Sequence, residues 1–155
     1  EISNTAERIG AITGNYKRGK FVKDSLGLVQ TKILESKGVQ QSAIVLMSSE
    51  PMFVFGKGSL VDEMMSETGF INALDSSLMG SYPQLDVEYL LRKNPNTLFI
   101  TTSTSWKSFF EKHPNLKELD AYKNNKLHQI EGDYISRQGP RTMYGLRAFQ
   151  EVSTK

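Results

Sequence analysis

The sequence predicts an α/β fold: a three-layer lobe with a mostly parallel central sheet flanked by helices, preceded by one long helix. The run Ala43-Ile44-Val45-Leu46-Met47 is continuously apolar, as a strand buried on both faces requires. Two further short runs, Thr97-Leu98-Phe99-Ile100-Thr101 and Lys126-Leu127-His128-Gln129-Ile130, follow it, with helical segments between them. Strands that alternate with helices imply parallel pairing and a sheet covered on both sides. Ahead of all three, Val22, Leu26, Val29 and Ile33 fall at i, i+4, i+7 and i+11, one face of a long helix.

In chain order, a small helix over Thr5 to Thr13 stops at Gly14. The long helix over Tyr16 to Ser36 ends at Gly38 as its C-cap. A domain that opens with so long a helix suggests an element that leans on something upstream, so residues 1–38 are set apart from a lobe over 39–155. Phe53-Val54-Phe55 follows Pro51 as a short strand. Ser59 opens a helix that runs to about Thr68 and closes at Gly69. Asp86 caps a helix over Val87 to Lys93, ended by Pro95. Another helix passes through Trp106-Lys107-Ser108-Phe109-Phe110. Pro140 opens a terminal helix with Met143, Leu146 and Phe149 on one side. In such sheets ligands gather outside the carboxyl ends of the strands. The segments there are Ser48 to Ser59, Thr102 to Trp106 and Glu131 to Gly139.

Composition excludes several classes. The 155 residues give room for one core, and 38% hydrophobic with 23% charged residues is ordinary for a globular chain. A net charge of +2 without a Lys/Arg block gives no basic face for nucleic acid. Without cysteine there is neither a disulfide framework nor a thiolate metal site. No apolar run approaches the roughly 20 residues that span a bilayer. No signal peptide is visible, and a chain opening at Glu1 reads as a processed product or an expressed fragment.

Few residues offer chemistry. Gly56-Lys57-Gly58-Ser59 resembles a phosphate loop only faintly: Pro51 stands where the loop needs Gly, and Gly58 where it needs Ser or Thr, so nucleotide binding is rejected. The same segment serves either as a tight strand-to-helix loop or as a mobile aromatic edge carrying Phe53 and Phe55. His113 and His128 lack metal spacing and read as structural or exposed. Ser48, His128 and Asp133 could be drawn as a triad, but no nucleophile elbow supports it. Glu88, in the first turn of its helix, is a surface carboxylate suited to the dipole or a rigid acid for a partner's arginine. Asp133-Tyr134-Ile135-Ser136-Arg137-Gln138-Gly139-Pro140-Arg141 lies at the ligand end of the sheet. It is either a solvated loop stitched by its arginines or a site that stacks on and pairs with a large polar ligand.

Taken together and in order, several segments resemble the class III substrate-binding proteins of ferric-siderophore, haem and cobalamin importers. Ile9-Gly10 through Gly14 and the long helix resemble the entry into the rigid helix joining that family's two lobes. Ser42 to Met47, Pro51 to Ser59 and Gly69 to Asn72 resemble the opening units of its C-terminal lobe. Tyr82-Pro83-Gln84-Leu85-Asp86-Val87-Glu88-Tyr89-Leu90-Leu91 with Asn94-Pro95-Asn96 resembles its most recognisable stretch. Leu119 to Ile130 and Arg137 to Arg141 resemble its close. The resemblance implies the second lobe of a non-enzymatic, two-lobed solute-binding protein that captures a metal chelate and delivers it to an ABC permease. Glu88 then takes the place of the glutamate that docks on the permease. Tyr82 stands where cobalamin binders place a Trp. Phe53, Phe55, Trp106, Asp133, Tyr134 and Arg137 become candidate ligand contacts, and Arg141 a structural residue. No resident cofactor or protein-held metal is expected; Thr101 to Ser105 lacks the axial His of some haem binders, which lowers haem ligation from this lobe and leaves a ligand from the other lobe open. The resemblance further implies a periplasmic or extracellular, membrane-anchored lipoprotein. A lobe without its partner should bind weakly and self-associate through the uncovered helix. The rivals are a small α/β enzyme with its site at Asp133 to Arg141, and a receiver-like domain, which the missing acidic cluster disfavours.

Overall fold

The computed structural model describes residues 2–36, 38–78 and 80–154. In chain order the elements are α1 (Ile2–Ile12), α2 (Tyr16–Glu35), β1 (Gln41–Ser49), β2 (Met52–Val54), α3 (Leu60–Thr68), β3 (Phe70–Asn72) and α4 (Val87–Lys93). There follow β4 (Thr97–Thr101), α5 (Trp106–Lys112), a 3-10 turn (Pro114–Glu118), α6 (Asp120–Lys123), β5 (Leu127–Ile130), α7 (Gly132–Ile135) and α8 (Thr142–Ser153).

β1 is the central strand. It pairs in parallel with β4 on one edge, and β4 in parallel with β5. Its other edge is shared: β3 pairs in parallel with Gln41 to Ala43, and β2 antiparallel with Leu46 to Ser49. The fold is thus α/β with a mostly parallel sheet. Alternation along β1 and β4 divides two cores. Ile44, Leu46, Leu98 and Ile100 face α4, α5 and the 3-10 turn, where Leu90, Phe109 and Leu116 meet them. Ala43, Val45 and Phe99 face α3, α7 and α8, packing with Val61, Met65, Ile135 and Phe149. Phe99 and Phe149 meet edge to face at 4.9 Å between centroids.

The helix boundaries follow local chemistry. Ser59, Asp86 and Ser105 each accept a backbone N–H with the side chain, at α3, α4 and α5 respectively. Gly69 closes α3 in the left-handed region, φ 99°. Gly38 is not the cap of α2: Ser36 is, and Gly38 instead permits close packing, since a Cβ there would lie 2.0 Å from the Ser153 carbonyl oxygen. The strand expected over Phe53 to Phe55 ends at Val54. β3 was not anticipated, because three residues after a helix-closing glycine are too few to show alternation.

α1 and α2 form a hairpin. A Cβ on Gly10 would lie 2.7 Å from the Gly19 Cα, so only small residues let the helices approach this closely. Lys23 reaches Glu7 across the hairpin at 2.5 Å, and that hydrogen bond holds the Lys23 ammonium above its ordinary pKa. α2 packs on α3 and α8 through the face that carries Leu26, Val29 and the buried Ile33.

Candidate functional site

The parallel strands β1, β4 and β5 end at Ser49, Thr101 and Ile130, and the segments after them form one rim. On the β2 flank, residues 81–85 lie along β2 as an irregular edge. Val54 N–H donates to the Pro83 carbonyl at 3.1 Å, Gly56 N–H to Ser81 at 2.8 Å, and Leu85 N–H to the Met52 carbonyl at 2.9 Å. Tyr82 is therefore an exposed ring on a fixed backbone. Phe53 is half-buried in β2 and bridges to Gln84.

Phe55 departs from expectation. It is 2% exposed and belongs to the core under α3, so it has no surface for a ligand. Its backbone N–H bonds to Val45, and its ring supports Tyr82 edge-on. The segment is closely packed at Gly56. A Cβ on Gly56 would lie 2.4 Å from the Gly80 carbonyl oxygen, a close approach that demands glycine.

At the centre of the rim the side chains are hydroxyls. Thr101 Oγ1 donates to the Met47 carbonyl at 2.8 Å, and Thr102 Oγ1 to Glu131 at 3.0 Å. Trp106, at the start of α5, is half-buried: it stacks on Phe110 and meets Phe109 edge-on. Its Nε1 is buried without a hydrogen-bond partner among the described residues.

On the β5 flank, Asp133 and Tyr134 lie in α7 rather than in a loop. Asp133 is exposed, whereas Tyr134 is half-buried and turned onto Tyr144 of α8, 5.2 Å between centroids. Asp133, Arg137 and Arg141 line one shallow depression of about 200 Å³, together with Gln138, Gly139 and Pro140. Arg141, expected to be structural, is exposed there, and among the described residues neither arginine is in an ion pair. Nothing in the local sequence distinguished it from a helix-start residue; its role in the depression depends on the turn at Gly139-Pro140.

Glu88 is exposed in the first turn of α4, beside the Asp86 cap. The helix is clamped from the preceding segment. Lys93 Nζ reaches Asp75 Oδ1 at 2.5 Å, Tyr89 O–H donates to Asp75 Oδ2 at 3.0 Å, and Asp75 N–H donates back to the Tyr89 oxygen at 2.9 Å. The Lys93 hydrogen bond, then the Tyr89 one, holds the Asp75 carboxyl below the usual carboxylate range.

Ser48, His128 and Asp133 each have other contacts or surroundings in the fold. The Ser48 hydroxyl donates to the Pro51 carbonyl at 2.6 Å and so shapes the β1–β2 turn. The His128 ring lies against Phe99, 5.5 Å between centroids, and His113 against Phe109. Among the described residues no group of three His, Cys, Asp or Glu side chains is placed to hold a metal ion. Among the described residues no helix is long and apolar enough to cross a membrane.

The family described as periplasmic binding protein matches residues 1–134. An uncharacterized ABC transporter substrate-binding lipoprotein of Bacillus subtilis (strain 168), YvrC, is 26% identical over 157 residues, covering 97% of this chain and 49% of the relative. The vitamin B12-binding protein of Vibrio cholerae is 27% identical over 113 residues, covering 70% of this chain and 37% of the relative. The chain thus spans half or less of the length of these curated relatives. Among solved structures, a possible iron-binding periplasmic solute-binding protein from Staphylococcus epidermidis aligns with a TM-score of 0.83 at 24% identity, over 99% of this chain and 62% of the other.

Proposed function

The chain belongs to the periplasmic binding protein family, and from that premise we propose that it is the C-terminal lobe of a substrate-binding component of an ABC importer. Its ligand is a metal chelate: a ferric siderophore, cobalamin or haem. Residues 39–155 form the lobe and residues 1–38 the helical segment leading into it. The observation that carries the ligand assignment is the rim itself. An exposed tyrosine on a fixed backbone stands beside β2 on one flank, and on the other, after β5, stand two guanidiniums that among the described residues are in no ion pair, in one depression. A broad, shallow ligand is met by ring stacking at Tyr82 and Phe53 and by charge at Arg137, with Asp133 as hydrogen-bond acceptor. The metal arrives coordinated by its chelator. Binding involves no bond making, so the protein is not an enzyme.

Glu88 is the carboxylate this lobe offers to an arginine of the permease, and the Asp75 clamp presents it rigidly. The protein works on the outer side of the cytoplasmic membrane, as a periplasmic or surface-anchored lipoprotein. The lobe alone binds weakly, because half of the cleft is contributed by the other lobe. The apolar face of α2, on which the expectation of self-association rests, packs instead on α3 and α8.

A fluorescence titration of the full-length protein tests the assignment, with ferric catecholate and hydroxamate siderophores, haem and cobalamin as ligands. The expected result is saturable binding of one chelate, weakened in Tyr82→Ala and in Arg137→Ala. A well-folded protein that binds none of the four would overturn it.

A further inference from the structure

The tip of the α1–α2 hairpin gathers side chains that the ligand rim does not use. Tyr16 and Phe21 are 53% and 71% exposed. Lys17, Arg18 and Lys20, all exposed, lie between them on the first turns of α2. From Arg8 to Lys23 the chain holds five basic residues and no acidic one. Lys23 is paired with Glu7; among the described residues Arg8, Lys17, Arg18 and Lys20 are in no ion pair. The net charge of +2 hides this local excess, and the basic run is interrupted by Gly19 and by Phe21-Val22.

Helix stability does not account for the arrangement. Cations in the first turn oppose the helix macrodipole, and no acidic residue there offsets them. Core packing does not account for Phe21 either. The lobe-facing side of α2 is the one carrying Leu26, Val29 and Ile33, and Phe21, followed by Leu28 at i+7, lies on the other side.

We propose that this tip contacts a membrane surface rich in anionic phosphate headgroups. Tyr16 and Phe21 enter the interfacial layer while Lys17, Arg18 and Lys20 lie among the phosphates. Charge decides the occupant: a second copy would set the same cations against each other, whereas an anionic bilayer matches every one of them and accepts aromatic rings at its interface.

The test is co-sedimentation of the full-length, unacylated protein with vesicles of phosphatidylcholine alone or mixed with phosphatidylglycerol. Binding is expected with the mixed vesicles only, and it should fall as salt rises. Lys17→Glu/Arg18→Glu/Lys20→Glu should lower the partition coefficient by roughly two orders of magnitude or more. Phe21→Ser should weaken binding with the charge intact and the melting temperature unchanged. Equal sedimentation with both vesicle types, or a triple variant that sediments like the parent, would overturn the proposal. So would a Phe21→Ser protein that melts far lower yet binds as before, since that ring is then covered by another part of the protein.

Discussion

The exposed ring of Tyr82 stands edge-on against the buried ring of Phe55, with 5.7 Å between centroids and 71° between planes. The two aromatics therefore have separable roles. Tyr82→Ala removes a half-exposed ring and should change the denaturant midpoint by less than about 1 kcal/mol while weakening ligand binding. Phe55→Ala empties a core site and should cost about 3–5 kcal/mol. Equilibrium urea unfolding and ligand titration on both variants check the split. A Tyr82→Ala protein that loses stability as Phe55→Ala does would make Tyr82 a packing residue.

The Ser59 hydroxyl has two duties. It accepts the Asp62 N–H at 3.2 Å as the cap of α3, and it donates to the Gly56 carbonyl at 2.7 Å, fixing the loop that approaches Gly80. Ser59→Ala should cost about 1–2 kcal/mol, at the upper end for an N-cap because the residue is buried. Ser59→Thr and Ser59→Asp keep the acceptor, and only Thr keeps the donor as well. A larger loss for Asp than for Thr in urea midpoints would confirm that the bond to Gly56 matters beside the cap.

The sequence made the helices and parallel strands legible because their signals are local. Ser59, Asp86 and Gly69 mark helix ends by their own chemistry, and the runs at Ala43 and Thr97 mark buried strands. The α/β fold expected from them is the fold observed. The rim was less legible. Phe53 and Phe55 look alike in sequence as ligand aromatics, and only the tertiary packing turns Phe55 under α3. Arg141 joins Arg137 through a turn that no periodicity describes. β3 and α7 are three and four residues long, below the length at which alternation or helical period can be read.

Acid should weaken the clamp on α4. The Asp75 carboxyl is depressed in the folded state relative to about 3.9 in an unfolded chain. A group with a lowered folded pKa binds fewer protons when folded. Its contribution is complete above the unfolded value and is lost as pH falls through the folded one. The parent's stability should therefore drop more steeply than that of Asp75→Asn in this acid window, and the two curves should run parallel near neutrality. Urea midpoints followed from pH 7 downward measure this. Parallel curves at every pH would mean that the Lys93–Asp75 pair contributes nothing.

A methyl group at Gly145 connects packing to the rim. A Cβ there would lie 2.8 Å from the Tyr134 carbonyl oxygen and 2.9 Å from Ile135 Cγ2. The first contact is backbone, so relief requires α7 to shift, and α7 carries Asp133 and leads into Arg137. Alanine gains about 1 kcal/mol of helix propensity over glycine, but overpacking costs about 1–3 kcal/mol. The net expectation for Gly145→Ala is a loss of about 1 kcal/mol with weakened ligand binding. Gly27→Ala in α2 is the control, because nothing lies within 4 Å of a Cβ at that position. It should gain about 0.5–1 kcal/mol and leave binding unchanged. If Gly145→Ala is stabilised as Gly27→Ala is, α7 yields freely and the depression lined by Asp133, Arg137 and Arg141 is not held by its packing on α8.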